Sequence, residues 1–478
     1  MLAVVGVTGR TLARGRAGRD AAGMSRILLC LLLPLTAAAE TFHVGPGHDL
    51  KTPDAAPWSR LRPGDEVVIH WRPEPYRCRW SFSLRGTEDA PIVCRGERGP
   101  DGQRPVIDAA NAIAPPGLRY KGGQRALIKI GYSSIPQVND PQWLVIEGLE
   151  LRGARPTRYS LGMGGLQEYV RNASAVFIER GSNIVVRDCE IHDCANGLFS
   201  AYETENLLIE GNFIHSNGGP KYYEHNTYTA GVNVVYRNNR FGPLREGCGG
   251  NALKDRSAGL LVVGNWVEGG NRQLDLVDGE DSPSIRNHPD YPETWVVGNV
   301  LAEVEDFGNT QVIHFGGDSG DEPTYRRTLH LVNNTVVSSR KGRLTLRRLS
   351  TQVQQADVRN NILHATAPGG EIAILDETGG VTLTNNWLKE GYKGSHGTLA
   401  GRIQTEGNLG GEDPGFVAFG DDPSQWDLRL KPSSPSVGAG ASVDWPEAVS
   451  PPFPVIDRSQ TALTVAEPTF LGALPPAE

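Results

Sequence analysis

The sequence predicts an all-β solenoid, in which short strands stack coil upon coil and pair in parallel. Three observations predict it. One pattern recurs along the chain. An asparagine or glycine stands at the same place in nearly every copy. The composition, with 58 Gly and 33 Pro in 478 residues, suits a chain that turns often.

The pattern is an apolar, β-branched run, a Gly or Asn, an Asn, then a second apolar pair. Val185 to Ile191 and Leu208 to Ile214 are copies. Further copies surround Asn239, Asn265, Asn299, Asn334, Asn361 and Asn386. With Asp188 and Asn212 as the first markers, the steps are 24, 27, 26, 34, 35, 27 and 25 residues. Trp143 to Leu149 is an earlier copy bearing Gly148. Each copy reads as one coil whose corner needs a residue tolerant of left-handed dihedrals, which Gly and Asn adopt at least cost. Stacked Asn side chains can also hydrogen-bond along the column. A propeller would show periods of about 40–50 residues, and a leucine-rich solenoid a leucine spacing that is absent. The long steps to Asn299 and Asn334 require loops around 279–293 and 316–326. Loops on one side of a solenoid commonly shape its binding face.

The ends read differently. Met24-Ser25-Arg26, the apolar run Ile27 to Leu35 and Ala37-Ala38-Ala39 have the order of a signal peptide, so residues 1–39 are expected to be targeting sequence with Met24 as true start. The apolar run is too short to span a bilayer. Residues 40–478 are expected as one domain, exported to the periplasm or secreted, with no membrane span after cleavage. Thr52 to Leu61 is expected to cap the first coil, which otherwise offers an open sheet edge.

The net charge of −8, without a basic block, argues against a nucleic-acid partner. It leaves room for an acidic polysaccharide or oligosaccharide, since a local basic cluster can sit in an acidic protein. Cys30 would leave with the signal peptide. Cys78, Cys94, Cys189, Cys194 and Cys248 match no zinc spacing. An exported chain permits Cys78–Cys94 and Cys189–Cys194 bridges, though buried thiols are the plainer expectation.

On these repeats the sequence resembles the right-handed parallel β-helix proteins of the pectate lyase-like superfamily. Thr41 to Gly47 and Pro63 to Ile69 look like the usual opening of such exported proteins. Asp413-Pro414-Gly415-Phe416, Trp426 to Pro435 and Gly438-Ala439-Gly440 look like the closing segment, and Pro454 to Ala473 like a final strand. The resemblance implies a single-domain right-handed parallel β-helix that acts on polysaccharide.

Candidate site residues crowd between Glu224 and Glu280. Strand alternation puts alternate side chains on opposite faces. Apolar residues pointing inward then leave an outward column of Asn226/Tyr228, Lys254/Arg256, Gln273/Asp275 and Val312/His314. Such a row suits β-elimination from a uronic acid sugar, which needs a cation at the carboxylate, a base and an acid. Lys254 is the expected base, if Arg256 lowers its pKa. Arg256 is the carboxylate clamp, and His225 and Tyr228 are proton-transfer groups. Asp275 orients Lys254, while Asn226, Gln273, Asp278, Glu280 and His314 contact substrate. Polysaccharide lyases of the chondroitinase B and alginate lyase type use a Lys and an Arg; here the pair is similar in type but sits on one coil. A Ca²⁺ ion bridging Asp275, Asp278 or Glu280 to a uronate is compatible with their hard oxygen ligands. Two alternatives stand beside the lyase: a glycoside hydrolase using Asp275 and Glu280, and a non-catalytic carbohydrate-binding protein.

Overall fold

The computed structural model describes residues 38–160, 165–280, 282–304 and 309–477. Nearly all of the expected targeting sequence lies outside the described residues. Among the described residues no helix is long and apolar enough to cross a membrane.

The repeats fold as coils of up to three short strands, and like strands stack in parallel columns. One column contains Ala126–Ile130, Thr227–Thr229, Leu253–Asp255, Leu274–Leu276, Gln311–Phe315 and Leu344–Leu349. A second begins with Thr41–Val44 and Glu66–His70 and ends at Arg402–Glu406. Ser174–Arg187 and Asn196–Glu210 run through both columns without a break. A third, from Val106–Asp108 to Leu409–Gly411, forms an 11-stranded sheet.

Two different residues make the corner before the third column. The first lies in the left-handed region: Asp188, Gly211, Asn238, Gly264, Gly298, Asn333, Asn360 and Asn385, with φ between 50° and 67°. The next residue points inward and is the marker asparagine. Asn212, Asn239, Asn265, Asn299, Asn334, Asn361, Asn386 and Asn408 form a ladder. Each Nδ2 donates to the next Oδ1 at 2.9–3.0 Å. The first rung is Cys189, whose N–H donates to Asn212 Oδ1. Asp188 therefore belongs to the left-handed row, one residue before the ladder, and pairs at the surface with Arg98 and Arg104.

The interior of the coils holds the main apolar core. At its N-terminal end a short turn of helix, Pro53–Ala55, brings Trp58 flat against Trp80 at 4.7 Å. Both indoles are buried, so the expected cap is present. The C-terminal segment departs from expectation. Instead of adding a final strand to the stack, it forms antiparallel hairpins, Phe416–Ala418 with Asp427–Leu430 and Phe453–Ile456 with Ala462–Val465. These fold back over the flank, where Trp426, Phe453 and Phe470 cover Trp266, Val300, Val337 and Trp387 in a second core. That flank is apolar on its outer face, and the hairpins remove it from water.

No disulfide forms among the described residues. Cys78, Cys94, Cys189, Cys194 and Cys248 are free and buried, and burial pushes the thiols of Cys189 and Cys194 up to about 12. They fill the apolar interior and the start of the ladder, so neither candidate bridge exists.

Candidate active site

The first column presents one outward row across consecutive coils. Tyr228 pairs with Lys254, Lys254 with Asp275, Asp275 with His314 and His314 with Arg348. Parallel pairing sets these neighbours about 5 Å apart. Inward neighbours Leu253, Leu274, Leu276 and Phe315 are fully buried and fix the register. The row forms the floor of an open cleft of about 1000 Å³, whose wall includes Arg171, Arg272, Glu280 and the loop carrying Asp318. Tyr222 and Tyr223, 70% and 68% exposed, line it as well.

Charge pairing dominates the floor. Lys254 Nζ donates to Asp275 Oδ2 at 2.9 Å and to Asp318 Oδ2 at 2.7 Å. Arg256 NH2 reaches the other oxygen of Asp318 at 2.8 Å and Glu280 at 2.9 Å. One carboxylate is thus held between two cations. Burial opposes the charge on Lys254, but Asp275 and Asp318 outweigh it, and the ammonium is held above the usual lysine range. This corrects the expectation that Arg256 makes Lys254 a base: its repulsion is real but smaller than the attraction of the two carboxylates. Burial likewise opposes the charge on Asp275, and the His314 hydrogen bond and Lys254 hold its carboxyl far below the usual range.

His225 and Tyr228 meet edge to face, with ring centroids 5.5 Å apart. Burial and then Lys254 push His225 down to about 3, so its imidazole is neutral. Asn251 N–H donates to Nδ1 at 2.8 Å, which leaves the ring hydrogen on Nε2. Arg256 Nε donates to the Tyr228 hydroxyl oxygen at 2.8 Å, so the phenolic hydrogen is available to another acceptor. His314 joins Asp275 Oδ1 at 2.8 Å and Ser350 Oγ at 3.0 Å. Ser350 Oγ also contacts the N–H and C=O of Gly317; it ties down the loop and orients His314.

A family model described as a right handed beta helix region matches residues 167–288, the stretch that holds most of this floor. The chain is a right-handed parallel β-helix. Solved structures similar to this β-helix include an alginate lyase from Paenibacillus sp. str. FPU-7, at 12% identity over 72% of this chain and 97% of that one, TM-score 0.43. Pectate lyase Pel9A shares 11% identity over 92% and 97%, TM-score 0.48. A GH136 lacto-N-biosidase from Eubacterium ramulus shares 11% over 78% and 68%, TM-score 0.49. No curated protein sequence matches the chain.

Among the expected site residues, this β-helix brings Lys254, Arg256, His225, Tyr228, Asp275, Glu280 and His314 into one cleft. Four others lie elsewhere. Asn226 is fully buried; its Oδ1 accepts from Asn217 and its Nδ2 donates to Gly242 O. Gln273 is fully buried, with Nε2 on Glu303 at 3.0 Å. Val312, expected beside His314, is in the core. Asn226 and Gln273 both precede their three-residue strands, Thr227–Thr229 and Leu274–Leu276. Alternation extends only through extended residues, and at the corner the side chain turns in. Asp278 is buried too. It accepts the N–H of Asp318 at 2.9 Å and the Thr324 hydroxyl, and so holds the Asp318 loop in place. Asp275, Asp278 and Glu280 do not converge on a common point among the described residues. Their oxygens face Lys254, Arg256 and loop donors, an arrangement that does not fit a Ca²⁺ bridge.

The sequence reading missed Asp318, Arg272, Arg348, Asn251 and Ser350. Asp318 lies inside 316–326, which the repeat spacing marked as an insertion, and that was the one available signal. Nothing local distinguishes Ser350 or Arg348 from other surface residues.

Proposed function

We propose that the protein is an exported enzyme that cleaves an acidic, uronate-containing polysaccharide by β-elimination. The observation that carries the reading is the grip of Lys254 and Arg256 on the single carboxylate of Asp318, one-third exposed on the cleft wall. A uronate carboxylate offers the same two oxygens and exchanges like for like with Asp318. Neutralising that carboxylate is the electrostatic requirement for acidifying the adjacent carbon. The proton passes from that carbon to the Tyr228 oxygen, its electrons form the double bond to the neighbouring carbon, and the glycosidic oxygen departs with the phenolic hydrogen of Tyr228, which regenerates the hydroxyl. The Tyr228 oxygen is braced for that exchange by Arg256. His225, neutral with hydrogen on Nε2, donates to a substrate oxygen. Tyr222 and Tyr223 supply flat apolar faces for neighbouring sugar rings.

Hydrolysis is the rival. Asp275 and Asp318 both approach Lys254, as a carboxylate pair would. Hydrolysis needs one of the pair to keep a proton at working pH. After burial, Lys254 and the other basic partners hold both carboxyls below the usual range, which favours elimination. The test is ultraviolet absorbance during incubation with a panel of uronic acid polysaccharides. A rise reports the unsaturated end and supports elimination. New reducing ends without absorbance would move the activity to the carboxylates, and neither signal would leave saccharide binding alone.

A further inference from the structure

Several coils from the cleft, at the N-terminal end of the solenoid, three of the eleven histidines meet. His43 lies on Thr41–Val44, His70 ends Glu66–His70, and His48 follows the turn after the first strand. Phe42 pairs with Val67 and His43 with Val68. Alternation then puts His43 and His70 on the same outward face. The turn between His43 and His48 is shaped to fold back on them. Gly45 adopts φ +137°, and a Cβ there would meet the Tyr76 hydroxyl at 2.8 Å and His70 Cβ at 3.1 Å. Gly45 N–H donates to Leu50 O at 2.7 Å, and the Tyr76 hydroxyl donates to His70 O at 2.8 Å. This framework lays the His48 ring over His70 with centroids 4.1 Å apart. His43 Nδ1 and His70 Nε2 are 2.9 Å apart. One ring nitrogen from each of the three lies within 4.8 Å of the others.

We propose that His43, His48 and His70 bind one divalent first-row transition cation, of which Zn²⁺ is the representative. The donor set is three imidazoles with no carboxylate, which selects zinc, copper or nickel over calcium or magnesium. Tetrahedral zinc holds imidazole nitrogens at about 2.0–2.1 Å, so the three donors need only side-chain rotation to close around it. His43 is exposed and His48 and His70 are partly exposed, so that rotation is open to them. The fourth position is left to water. The ligands come from the first two strands of the second column and the turn beside them. The ion therefore fastens the terminal coils together, where a solenoid has a neighbour on one side only.

The test uses tag-free full-length protein stripped with chelator and titrated with ZnCl₂ by calorimetry, with CaCl₂ as control. The expected result is one zinc per chain, a higher thermal midpoint with zinc, and no calcium uptake. The His43→Ala/His48→Ala variant, which changes surface side chains, should bind zinc at least about tenfold more weakly and lose the zinc-dependent rise in midpoint. Absence of stoichiometric uptake by the unaltered protein would overturn the proposal. So would uptake that the double variant leaves unchanged, since the zinc would then be held elsewhere.

Discussion

Asp318 separates the two chemistries at the level of one residue. As the internal occupant of the Lys254–Arg256 clamp, it competes with a uronate. Asp318→Asn should then keep turnover and lower KM, read in steady-state kinetics on the substrate the absorbance panel identifies. As a hydrolytic carboxylate, its loss would abolish turnover. Lys254→Ala and Tyr228→Phe should each cost at least about a hundredfold in kcat/KM, the scale of one electrostatic or proton-transfer group. His225 makes a pH prediction. Its folded pKa, about 3, lies below that of an exposed histidine. The unfolded chain therefore binds the extra proton between about pH 6.5 and 3, and stability falls as pH drops through that window. His225→Gln should lose less stability than the unaltered protein between pH 7 and pH 4 in urea unfolding. Arg347 is a fully buried guanidinium with no hydrogen-bond partner among the described residues, and burial brings it down to about 9. Arg347→Met should raise stability by about 1–4 kcal/mol, seen as a higher melting temperature.

The asparagine ladder is the element that sets the coils in register. Each inner Asn both accepts and donates within the ladder, and Asn299 Nδ2 also reaches Val262 O at 2.8 Å. Removing one rung leaves buried partners unsatisfied, which costs about 1–3 kcal/mol. Asn299→Ala should therefore lower the denaturant midpoint by that amount, while the exposed Asn139→Ala should change it little. The ladder was legible in the sequence because every coil repeats it. The division of labour at the corner was not. Asp188 looked like a ladder residue, yet Cys189 takes the first rung, because the left-handed position precedes the inward one.

At the scale of the whole molecule, the solenoid is sealed by different means at its ends. Trp58 covers the first coils, and the C-terminal hairpins lie along an apolar flank that includes Trp266 and Trp387. A chain ending at Glu412 should expose that flank. It should bind a hydrophobic dye and melt at lower temperature than the full chain. The cleft opens on the face of the column that carries the two inserted loops, where Asp318 and Glu280 stand.

Repetition by itself determined the coils, the parallel stacking and the row Tyr228–Lys254–Asp275–His314, because a period-two strand with buried Leu253, Leu274 and Phe315 has one outward face. Only the tertiary structure decided the rest of the site. Asn226 and Gln273 turn inward where the strand has already ended, a boundary that alternation does not mark. Asp318 arrives from a loop more than sixty residues after Lys254. There it joins Asp275 in outweighing the repulsion of Arg256 at Lys254, because a charge acts through space on whatever the fold brings near it.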